Sequence, residues 1–82
     1  MKPRRNPLGD LNAIGGRIAD IRVSKEIKQR EFISRLQTEG MDINPTSYSK
    51  LEGQTRQITD LEIIVIAKVL GVPVQDLFPN GR

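Results

Sequence analysis

The sequence predicts an all-α fold, one domain of five short helices around a single core. Three observations carry this. Apolar residues recur at steps of three and four along most of the chain, helix-start and helix-stop residues interrupt them at short intervals, and no hairpin signal, repeat or low-complexity tract occurs. The 82 residues leave room for one domain. Leu, Ile, Val and Phe supply 24 of them, which clears the floor of about 20% below which chains tend to be disordered.

Residues 1–10 hold Pro3, Pro7 and Gly9 among the basic Lys2, Arg4 and Arg5, and read as a flexible basic arm. From Leu11 the residues Leu11, Ile14, Ile18 and Ile21 fall on one helical stripe, the first helix. Gly15 and Gly16 weaken its front half, each by up to ~1 kcal/mol relative to Ala, so an ordered start near Ile14 is expected. The second helix is expected over 29–39, with Phe32, Ile33 and Leu36 inward and Gly40 as a left-handed stop. Lys28 stands where a capping Ser or Thr would be expected, while Glu31 suits the positive end of the helix dipole.

The third helix has clearer signals: Asn44 as N-cap, Pro45 at the first position, Tyr48 and Leu51 inward, and Gly53 at the end. Thr59 and Glu62 form a capping box that opens the fourth helix, which runs to Leu70 with Gly71 behind it. Leu61, Ile64, Ala67, Val69 and Leu70 are expected to face the core, although Ile63, Val65 and Ile66 make this helix apolar on most sides. A short fifth helix over 73–78, with Phe78 directed to the core, completes a domain spanning 11–79, and 80–82 form a tail.

The chain has no Cys and no His, which removes disulfides, thiolate and imidazole metal sites, Cys nucleophiles and His-based triads. No cofactor or metal is expected. Glu26 with Glu31 and Asp60 with Glu62 could be called carboxylate pairs, but nothing apolar surrounds them to raise a pKa, and an enzyme is not expected. The longest apolar run, residues 63–67, is far short of the ~20 residues a membrane span needs. A soluble, cytoplasmic protein is the expectation. Of the 13 Lys and Arg, 11 lie in residues 1–56 with 7 of the 10 acids, giving that stretch a net charge of +4 and the remainder −1. A basic front suits a polyanion-facing surface, and also suits an ordinary solvated face.

In order, IGGRIADIR at 14–22, Gln29 opening the second helix, YSKLEG at 48–53 and ITDLEIIVIAKVLGVPVQDLF at 58–78 resemble the Cro/repressor (XRE-type, lambda-repressor-like) helix-turn-helix family. The likeness covers about residues 13–79 and rests on order and spacing, not on any single motif. Two positions depart from it. Gln29 and Asn44 stand 15 apart, several more than the family's tight turn allows, which places extra residues in 37–43, and Ile33 fills a place where the family prefers a small Ala.

The resemblance implies sequence-specific binding of double-stranded DNA by a transcriptional regulator, a repressor in the first instance, with the third helix in the major groove. It assigns a phosphate contact to Gln29, beside Lys28 and Arg30, and the loop after the third helix adds Arg56. Asn44, Thr46, Ser47 and Lys50, with Ser49 at their edge, would reach bases. For Thr46 and Ser47 plain helix-start chemistry is the competing role, and for Gln29 an ordinary surface position. The arm with Lys2, Arg4 and Arg5 is either a solubilising tail or a minor-groove contact. The family also suggests an ion pair between Arg22 and Glu52, against two independent surface charges. A homodimer on DNA is expected, with Ile63, Ile66 and Val74 as candidate surface. The rival function is a protein-interaction module, an antitoxin or a regulator's partner, that does not itself grip DNA.

Overall fold

Three of the four helices begin where a side chain accepts from amides that the first turn leaves unpaired. The computed structural model describes Gly9 and residues 11–78; the basic residues of the arm and the 80–82 tail lie outside them. Four α-helices follow in order: α1 (Gly15–Ser24), α2 (Gln29–Thr38), α3 (Pro45–Glu52) and α4 (Asp60–Leu70). The expected fifth helix is instead a single 3₁₀ turn over Val74–Leu77. No strand occurs among the described residues, and no helix there is long and apolar enough to cross a membrane.

The first helix starts later than its apolar stripe because Asn12 supplies the cap. Its Oδ1 accepts from Ile14 N at 3.1 Å and Gly15 N at 2.7 Å, which holds the preceding chain out of the helix and leaves Leu11 exposed. Lys28 caps α2 with its backbone alone, and α2 stops at Thr38, one residue before the expected Glu39. Gly40, at φ 94°, turns the chain away. Residues 39–44 then form the lengthened connection. It is packed, not loose: Met41 and Ile43 are buried, Met41 N donates to Leu36 O at 3.0 Å, and Gln37 Nε2 donates to Ile43 O at 2.7 Å.

Asn44 and Thr59 cap α3 and α4 as their sequences predict, and Gly71 ends α4 in the left-handed region. At the end of α3 the left-handed position falls on Gln54 (φ 63°), while Gly53 stays right-handed. α1 packs on α3, and α2 packs on both α3 and α4, with the 3₁₀ turn against α4. Phe32 and Tyr48 meet edge to face at the centre, with ring centroids 5.6 Å apart.

Helix α4 corrects two expectations together. Ile66 is fully buried and belongs to the core, so it cannot serve as dimer surface. Leu61 and Ile64, expected inside, are 71% and 57% exposed. A helix apolar on most sides encodes poorly which side is inward. Packing against α2 and the 3₁₀ turn selects Ile66, Ala67 and Leu70, with Ile63, Val65 and Val69 beside them. The tighter 3₁₀ winding delivers Leu77 to the core and leaves Phe78, expected there, exposed.

Candidate nucleic-acid interface

The first half of α3 is polar outward because Tyr48 and Leu51 take its inner side. Asn44, Ser47 and Lys50 follow one another at steps of three on the other side, with Thr46 beside them. Asn44, Thr46 and Lys50 are exposed and Ser47 is half-buried. These four line one shallow depression of about 440 Å³ together with Thr55 and Arg56. Gln29 and Arg30 line a second, more apolar hollow with Ile33, Ser34, Gln37 and Pro45, where α2 meets the start of α3. Lys28 and Arg30 are exposed and make no ion pair among the described residues.

Glu52 joins three helices at the end of α3. Arg22 Nε donates to Glu52 Oε2 at 2.8 Å, with the two side chains 12% and 11% exposed, and Gln29 Nε2 donates to Oε1 at 3.2 Å. Tyr48 donates its hydroxyl to the same carboxylate, and Arg22 Nη1 also donates to Ile27 O at 2.7 Å. The hydrogen bond to Glu52 raises the Arg22 pKa above its ordinary value. Burial, then the bond to Glu52, pushes the Tyr48 hydroxyl far above the usual tyrosine range, so it stays a donor.

Arg56 is not the free cation its loop position suggests. Its Nη2 lies 2.9 Å from Glu62 Oε2 and its Nη1 3.1 Å from Oε1, a two-point pair that turns Glu62 into both a cap and a counter-charge. Glu62 Oε1 also accepts from Thr59 N at 3.0 Å. These bonds, that of Arg56 first, hold the Glu62 carboxyl below the usual carboxylate range. A depressed carboxyl contributes stability that is present above its unfolded pKa and is lost as pH falls through the folded value. Glu62→Gln is therefore expected to be less stable by about 1–3 kcal/mol near pH 7, with the gap to wild type closing as pH falls from 5 to 3. Urea melts at each pH check this, and a gap that does not change with pH would refute it.

Sequence reasoning missed Asn12 and Gln54. Asn12 Nδ2 donates to Leu51 O at 3.1 Å and Arg56 O at 2.7 Å, and Gln54 Nε2 returns a bond to Asn12 O at 2.7 Å. Gly9, assigned to the arm, and Leu11 donate their amides to Gly53 O and Gln54 O at 2.9 and 3.0 Å. The available signal was Asn12 itself, a capping residue type three positions before Gly15. No protein family, curated protein or solved structure matches the chain.

Proposed function

We propose that this domain binds double-stranded DNA sequence-specifically as a transcriptional regulator, a repressor in its simplest form, through a lambda-repressor-like helix-turn-helix with α3 in the major groove. The observation that supports it is the exposed polar side of α3, where Asn44, Thr46, Ser47 and Lys50 share one depression with Thr55 and Arg56. Base edges are read by short polar groups and by Lys or Arg, which is the chemistry of this set. The start of α2 has no side-chain cap, so its first amides are open to a phosphate, with Lys28, Gln29 and Arg30 around them. Arg56 contributes less charge than an unpaired Arg would, because Glu62 already neutralises it.

Two copies would occupy half-sites about 34 Å apart. With Ile66 in the core, Ile63 and Val74 are what remains of the candidate dimer surface. Such a regulator would work in the cytoplasm, without cofactor or catalysis. The exposed Leu61 and Ile64 favour a second reading, a protein-interaction module that covers this pair.

Selection of bound sequences from random duplexes, followed by salt titration, separates the two. Affinity should fall steeply with salt, and Arg30→Ala should weaken all duplexes about equally and lower the salt slope by about one unit. Lys50→Ala should relax preference at one or two operator positions, each worth about 1–3 kcal/mol. Absence of salt-dependent DNA binding, or a motif unchanged by combined replacement of Thr46, Ser47 and Lys50, would overturn the DNA reading in favour of the second.

A further inference from the structure

Asn44 holds two tasks that restrict each other. As N-cap of α3 it is extended (φ −122°, ψ 170°) and accepts a hydrogen bond from Ser47 N at 2.8 Å. A backbone N–H can only donate, so the atom facing it is the carboxamide oxygen, and the orientation of the amide is fixed by chemistry. The amide nitrogen lies on the other arm of the group and donates to nothing among the described residues. Asn44 is exposed in the depression it shares with Thr46, Ser47, Lys50 and Arg56.

Free Asn side chains read adenine with both atoms, the oxygen accepting from N6 while the nitrogen donates to N7. Here one of the oxygen's two lone pairs is already held by the Ser47 amide, so the nitrogen is the group left wholly uncommitted. We infer that Asn44 is a specificity-determining residue that reads through its uncommitted amide nitrogen, asking for an acceptor on the major-groove edge, guanine foremost, and rejecting cytosine. Guanine offers two adjacent acceptors, O6 and N7, whereas cytosine offers only the N4 donor. Lys50, six residues along the same side, also carries donors and no acceptor, so the two residues ask for the same kind of edge. This inference rests on the DNA-binding reading.

The test is selection of bound duplexes by wild type, Asn44→Asp and Asn44→Ser, each with a thermal melt. Asp and Ser both accept from the Ser47 amide and are good N-caps, so the melts should stay close to wild type. Asp places an acceptor where the donor was, and its preference at one operator position should change from guanine to cytosine by on the order of tenfold. Ser has no second polar arm, so preference at that position alone should disappear. No enriched motif for wild type would overturn the DNA-binding reading itself. An enriched wild-type motif that Asn44→Asp and Asn44→Ser both reproduce would overturn only this inference. If the added charge of Asn44→Asp abolishes binding, Asn44→Ser decides: selective loss at one position supports the inference and an unchanged motif overturns it.

Discussion

Replacing Glu52 with Ala is expected to destabilise the domain by about 3–5 kcal/mol, the usual cost of breaking a partly buried ion pair from one side. The large figure applies because Arg22 and Glu52 are only 12% and 11% exposed. A surface pair would be worth under about 1 kcal/mol. Removal strands more than one group. The Arg22 guanidinium keeps its bond to Ile27 O but loses its counter-charge, the Tyr48 hydroxyl loses its acceptor in the core, and Gln29 loses its partner. Since 1 kcal/mol shifts the melting temperature of a domain this size by about 4–8 °C, the variant should melt well over 10 °C below wild type. Glu52→Gln keeps the shape and removes the charge, and it should fall between the two. A Glu52→Gln melt that coincides with wild type would show that the pair acts as two independent charges.

Gly15→Ala should also destabilise, although helix propensity alone predicts a gain of about 1 kcal/mol from that change. A Cβ at residue 15 would lie 2.1 Å from Leu51 O and 3.0 Å from Glu52 O. Both are backbone atoms at the end of α3, so neither can rotate aside, and relief requires α1 and α3 to move apart. Overpacking costs typically 1–3 kcal/mol and occasionally more, and so close an approach to backbone belongs at the upper end, leaving a net loss of about 2 kcal/mol after the propensity gain. The midpoint of urea unfolding measures it. A midpoint at or above that of wild type would mean that the two helices separate without cost.

The two residues also mark where the sequence was legible. Asn44 with Pro45, and Thr59 with Glu62, announce helix starts because a cap and its partner lie within four residues of each other. The outward set on α3 was equally readable, since Tyr48 and Leu51 fix the inner side and the helical period places the rest. The ordered start of α1 near Ile14 was readable from Gly15 and Gly16, but propensity weighs a residue inside its own helix and takes no account of a backbone arriving from another. Asn12 was passed over for a related reason: its partners are the carbonyls of Leu51 and Arg56, which any residue type would supply. The inner side of α4 could not be read because most of its sides are apolar, and the pairing of Arg56 with Glu62 was hidden behind the more obvious role of Glu62 as a cap.

The bonds from Gly9, Leu11 and Asn12 bear on how α3 could be transplanted. They reach carbonyls of Leu51, Gly53, Gln54 and Arg56, so the end of α3 is completed by residues from 39 to 44 positions earlier in the chain. A graft of α2 and α3 alone onto another scaffold would leave those carbonyls to water and lose the seat against which α3 is aligned. Any transplanted unit therefore has to include Gly9, Leu11 and Asn12. Redesign of α3 is best confined to its outward side chains, with the connection at both of its ends left intact.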